Sequence, residues 1–137
     1  KFDYSLKKQV VNPKKIYFID NAMAQNISFR FSEDRGRFLE NTVFLELKRR
    51  RHELFYHKEQ KECDFLITER GKVTEAIQVV TSLDNVKTRE REVSGLLDAV
   101  KFHQLNAGLI LTEEEEEELV YDGLILKVKP IWKWLLE

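Results

Sequence analysis

The sequence predicts an α/β domain, a mixed central β-sheet flanked by helices. Three observations predict it. Short β-branched and aromatic runs bounded by turn residues recur along the chain. Two long segments carry apolar residues at helical spacing. One of these segments stands between two apolar strands, the order of a βαβ crossover. With 137 residues, 42% hydrophobic and 34% charged, the chain fits one packed domain rather than a disordered tail.

The elements follow in order. Residues 1–13 read as a polar, irregular lead-in with a turn at Asn12 and Pro13. Residues 14–20, with Ile16, Tyr17, Phe18 and Ile19, read as a strand apolar on both faces. Asp20 or Asn21 then caps a short helix over 21–28. Residues 36–51 read as a long helix, with Leu39, Val43 and Leu47 recurring every four positions. Strands follow at 53–58, 63–69 and 72–80, the last two joined as a hairpin through Gly71. Asp84 or Asn85 opens a second helix of roughly twenty residues, buried along Val93, Leu96, Leu97 and Val100, with Gly95 marking a close approach. Residues 107–112 are an apolar strand, 113–118 a solvated glutamate turn, 124–128 a strand and 131–136 a final helix docked by Trp132 and Trp134.

Composition narrows the function. Lys plus Arg is 23, Asp plus Glu is 24 and the net charge is -1, which excludes an overall basic nucleic-acid coat but leaves room for a local patch. Cys63 is the sole cysteine, so neither an intrachain disulfide nor a cysteine zinc site can form. It alternates away from Asp64 and reads as a small buried hydrophobe. No apolar run approaches the ~18 residues of a membrane span, so no membrane partner and a cytoplasmic, reducing setting are expected. The chain opens on Lys1 rather than Met, and a piece of a longer protein is expected. No phosphate-binding G-x-x-x-x-G-K-[ST] motif occurs in it.

Three polar residues fall where apolar ones belong. Glu40 shares a helix side with Val43, Phe44 and Leu47, and a carboxylate there must be paired, protonated or metal-bound. Asp64 opens a core strand, where Asp is depleted. Gln78 closes the partner strand, and a buried amide needs partners. Positions 64 and 78 mirror each other about the turn at 70–71, so they lie nearly opposite across the hairpin. A helix acid, a strand Asp and a strand polar residue together suit one or two Mg²⁺ ions. Arg49, Arg50 and Arg51, with Arg30, Arg35 and Arg37 nearby, are the candidate phosphate contacts, although cations at a helix C-terminus also complement its dipole. His52, His57 and His103 lack ligand spacing and read as surface or packed residues.

The run Gly36-Arg37-Phe38-Leu39-Glu40-Asn41, the strand Glu62-Cys63-Asp64-Phe65 and the strand Ala76-Ile77-Gln78-Val79 resemble the PD-(D/E)XK restriction-endonuclease-like nuclease fold. The opening Asn12-Pro13-Lys14-Lys15-Ile16-Tyr17-Phe18-Ile19-Asp20, the run Thr88-Arg89-Glu90-Arg91-Glu92 and the closing Pro130-Ile131-Trp132-Lys133-Trp134-Leu135-Leu136 resemble the domain called DUF4143. That domain forms the C-terminal part of prokaryotic AAA+-type ATPases. The resemblance implies a nuclease-fold domain over 14–137, with 1–13 leading in from an ATPase region that alone would bind ATP. It also implies Glu40 and Asp64 as ligands of Mg²⁺. Gln78 stands at the third acid, and Val80 at the motif lysine. A neutral ligand and a lost cation weaken catalysis, unless Lys58 or Lys61 swings in. The expectation is a degenerate pocket serving nucleic-acid or partner recognition, or control of the ATPase. An active Mg²⁺-dependent nuclease and a structural homo-oligomerisation module are the rival expectations.

Overall fold

The computed structural model describes residues 1–20 and 33–137. The helix expected over 21–28, and Arg30, lie outside the described residues. The described helices are α1 (Leu6–Val11), α2 (Glu33–Arg49), α3 (Val86–Phe102) and α4 (Ile131–Leu135). The strands are β1 (Glu53–Lys58), β2 (Glu62–Glu69), β3 (Lys72–Val79), β4 (Ala107–Thr112), β5 (Glu117–Tyr121) and β6 (Leu124–Pro130). They form one mixed sheet of order β1-β2-β3-β4-β6-β5.

Three hairpins and one crossover build this sheet. Arg70 and Gly71, at φ 51 and 76, join β2 to β3, and Asp122 and Gly123, at φ 51 and 78, join β5 to β6. Two consecutive positive φ values match the twist of a two-residue hairpin. Between the hairpins, β3 and β4 run parallel, Ile77 beside Leu109, and α3 makes the crossover between them. Asn85 caps α3 by accepting from the Thr88 amide at 3.1 Å.

The sheet separates two apolar clusters. On one side α3 packs Val93, Leu96, Ala99 and Val100 onto Cys63, Leu66, Ala76, Ile110 and Leu126. On the other, α2 and α4 bring Leu39, Val43, Leu47, Ile131 and Trp134 onto Phe65, Ile67, Ile77 and Leu111. Helices thus flank both faces. At Gly95 α3 lies close against the sheet, since a Cβ there would lie 2.3 Å from the Glu62 carbonyl oxygen.

Three elements differ from the sequence expectation. The lead-in contains α1, and Phe2 is buried against Phe55 and His103. Residues 14–18 form no strand. Pro13 has no donor for a ladder, and an asparagine side chain takes the place of a strand partner: the Phe18 amide donates to Asn41 Oδ1 at 2.8 Å and Asn41 Nδ2 donates to the Phe18 carbonyl at 3.1 Å. The glutamate tract is a turn only at first, for β5 begins at Glu117.

Candidate functional site

The site is built on a bulge. Phe55 pairs with Leu66 and His57 with Cys63, so Asp64 and Phe65 stand opposite Tyr56 alone. Two residues against one re-aim the bulged strand's side chains. Cys63 keeps to the α3 side, fully buried, and burial pushes its thiol pKa well up. Asp64 reaches the α2 side, toward Glu40.

A lysine lies between these two carboxylates. Lys15 Nζ contacts Asp64 Oδ1 at 2.9 Å, Glu62 Oε1 at 3.1 Å and Glu40 Oε1 at 3.2 Å. The Asp64 and Glu40 oxygens are therefore no further apart than two such contacts, and one ammonium bridges them. Tyr17 stacks on Phe44 with ring centroids 4.2 Å apart and donates its hydroxyl to Glu40 Oε1 at 2.7 Å. Asp64 Oδ2 accepts from the Val79 amide at 3.0 Å. Lys58 pairs with Glu62 at 3.1 Å, so the lysine that reaches Glu40 and Asp64 is Lys15. Sequence reading placed it within an expected strand, and its carboxylate partners on α2 and β2 lie 25 and 49 positions along the chain.

Burial and charge set the protonation states. Burial raises the Asp64 carboxyl to about 6; Lys15 opposes the rise and Glu40 adds to it. For Lys15, burial pulls the pKa down, but Asp64 and Glu40 outweigh it and the ammonium is held charged. Burial, then the Glu40 charge, pushes the Tyr17 phenol up, which keeps it a donor.

Gln78 meets Asp64 through a shift in the hairpin register between Ile67 and Thr68, beyond which Phe65 pairs with Ile77, and Gln78 Oε1 accepts from the Asp64 amide at 3.1 Å. The rest of its amide turns to the α3 side, where Nε2 donates to buried Glu92 Oε2 at 2.5 Å. Arg91 closes that network on Glu92 Oε1. Val80 is buried in the α3-side core and faces no carboxylate pocket. Asp64 borders two cavities. One, of about 250 Å³, also touches Lys14, Tyr17 and Tyr56. The other, of about 440 Å³, is lined by Lys58, Lys61, Gln78 and Arg91. Among the described residues no group of three or more His, Cys, Asp or Glu side chains is arranged to hold a metal ion.

The arginine run sits apart from this pocket, at the end of α2. Arg49 chelates Glu46 at 2.7 and 2.6 Å. Arg50 donates to Glu46 at 2.6 Å and to the Trp134 carbonyl at 2.8 Å, and lies 4.4 Å over the Trp134 ring. Arg50 therefore fastens α4 to α2. Trp134 is buried beneath it, whereas Trp132 is half exposed beside Lys133. The glutamate tract is pinned to the fold: Glu113 pairs with Arg35 at 2.9 Å, Glu117 with Arg89 at 2.7 Å and Glu116 with Lys133, while Glu115 accepts the Leu83 amide at 2.8 Å. His57 and His103 also meet, Nδ1 to Nε2 at 3.2 Å, and His57 Nε2 lies 3.0 Å from Asp98.

Comparison with known proteins gives one informative relative. The chain is 39% identical over 145 residues to a protein of Methanocaldococcus jannaschii named Uncharacterized protein MJ1544. The alignment takes in 98% of this chain and 32% of that relative, so the chain spans about a third of its length. No family model matches the chain, and no solved structure matches it. Among the described residues no helix is long and apolar enough to cross a membrane.

Proposed function

We propose that this chain is a PD-(D/E)XK-like domain of the DUF4143 kind, part of a longer AAA+-type ATPase, and that it is catalytically silent and acts by recognition. One observation carries the reading: the seat between Glu40 and Asp64 is taken by the Lys15 ammonium at 3.2 and 2.9 Å. The remaining candidate ligand has other work, since Gln78 bonds the Asp64 amide and Glu92. A nuclease needs carboxylate oxygens open to Mg²⁺ and a cation aimed at the phosphate. Here a cation and carboxylates neutralise one another instead.

Nucleic acid is the recognition partner favoured by Arg49 and Arg51, which are exposed at the end of α2. The net charge of -1 makes such binding weak, and it should fall by roughly one power of salt for each phosphate contact. The test uses labelled duplex and single-stranded DNA with Mg²⁺ or Mn²⁺. We expect no cleavage, and low-salt binding that weakens in an Arg49→Ala, Arg51→Ala double variant; Arg50 is left intact because it anchors Trp134. Cleavage that vanishes in Asp64→Asn would overturn the silent reading. Binding that ignores the arginines would move the partner to a protein, the ATPase region first.

A further inference from the structure

The segment carrying Lys15 is attached unlike the rest of the domain. Residues 13–18 belong to no helix or strand. They are held by the Tyr56 hydroxyl on the Pro13 carbonyl at 2.9 Å, by Lys15 on three carboxylates, by Tyr17 on Glu40 and Phe44, and by Asn41 on the Phe18 backbone. Ile16, between Lys15 and Tyr17, is 89% exposed. Apart from the Tyr17 ring, the attachment is polar and charged, and such contacts exchange with water and ions far more readily than apolar burial does.

We propose that residues 13–18 are an autoinhibitory strap, which closes the acid pocket by setting the Lys15 ammonium in competition with a divalent cation for Glu40 and Asp64. This rests on the reading of the pocket as a cation seat and adds what controls it. The exclusion is geometric. An oxygen-seeking ion bonds carboxylate oxygens at about 2.0–2.2 Å, and the ammonium already contacts the Glu40 and Asp64 oxygens such an ion would take. Two cations on these oxygens would stand within about 4 Å and repel one another strongly. Lys15 must leave before a metal can enter, and the strap must lift for it to leave. The pocket is then silent while strapped, and anything that pulls residues 13–18 away restores two free carboxylates.

The probe is Mn²⁺ alone, followed by calorimetry, with exchange of the Phe18 amide reporting the strap. Wild type should bind Mn²⁺ feebly. Lys15→Met should bind one ion on the order of tenfold tighter, within the usual range of coupling between competing sites, and Lys15→Met with Asp64→Asn should lose it. Asn41→Ala, which loosens the strap and keeps every charge, should also tighten Mn²⁺ binding and speed Phe18 exchange. A folded Lys15→Met that gains no affinity overturns the strap. If Lys15→Met fails to fold, Asn41→Ala decides in the same way. Wild type that binds Mn²⁺ tightly with Phe18 exchange unchanged also overturns it. Metal-dependent DNA cleavage by wild type would instead sink the silent reading, so the two failures are told apart.

Discussion

Arg51 stands at φ 65, directly after α2. The His52 amide donates to the Leu47 carbonyl at 3.1 Å and the Arg51 amide to Lys48 at 3.0 Å, the paired bonds that close a helix on a left-handed residue. Gln104, at φ 56, does the same after α3, with Leu105 donating to Val100 at 2.9 Å. Glycine favours this conformation and arginine does not. Arg51→Gly should therefore stabilise the domain by about 0.5–1 kcal/mol, read as an upward shift in urea midpoint with the slope unchanged. A loss of stability would mean that the Arg51 side chain holds the fold, and so is not free for phosphate. The same residue-scale logic explains Lys15. Its partners lie on α2 and β2, 25 and 49 positions away, and no local pattern announces a contact of that span.

At the scale of elements, α3 bears on the site through Gly95. Its missing side chain lets the helix rest on the Glu62 carbonyl, and Glu62 also holds Lys15 at 3.1 Å. Ala is favoured over Gly inside a helix by ~1 kcal/mol, but a Cβ 2.3 Å from a backbone oxygen forces helix and strand apart. Gly95→Ala should be destabilising by about 2 kcal/mol net, measured by chemical denaturation; a neutral result would mean the contact relaxes freely. The close packing was legible in the sequence, because an unexplained glycine inside an amphipathic helix has few other uses. The hairpin was legible too, from the turn at Arg70 and Gly71, but not its full register: the turn pairs Glu69 with Lys72, and a shift between Ile67 and Thr68 is what brings Phe65 opposite Ile77 and Asp64 to Gln78. The bulge opposite Tyr56 was not legible, because strict alternation carries no sign of an extra residue. The segment 14–20 misled because its β-branched and aromatic residues carry strand propensity, while what decides a strand is a backbone partner, here replaced by Asn41. The strand β5 was hidden by the glutamates, yet Asp122-Gly123 before Leu124 is a strong hairpin signal that could have found it.

For the whole molecule, a buried and a half-buried group pull the acid stability in opposite directions. Asp64 has a folded pKa of about 6 against 3.8 for the free carboxyl. Between these values the folded chain holds a proton that the unfolded chain has lost, so this group adds stability as pH falls from 6 toward 4. His103 is held at about 4 against 6.5, by burial and then by the neighbouring His57. Between those values the unfolded chain takes the proton, so this group removes stability as pH falls. Its Nδ1 is buried without a hydrogen-bond partner, so a proton added there would lack an acceptor. The N-terminal amine, lowered from 8.0 to about 6, exerts its effect above this range. Glu46, held at about 2 by its bond to Arg49, loses its contribution only below the free value of 4.5. Between pH 6 and 4.5 the contest is then between Asp64 and His103, and the wild-type melting temperature should change little. His103→Gln should leave a melting temperature that rises on acidification, and Asp64→Asn one that falls. Thermal melts of the three proteins at half-unit steps of pH decide it. Parallel slopes would mean that neither group titrates in this range. A flat profile in His103→Gln, with Asp64→Asn still falling, would mean that Lys15 holds Asp64 ionised down to the pH of an ordinary aspartate, in which case the acid pocket is a permanent ion pair rather than one whose charge the surrounding fold keeps in balance.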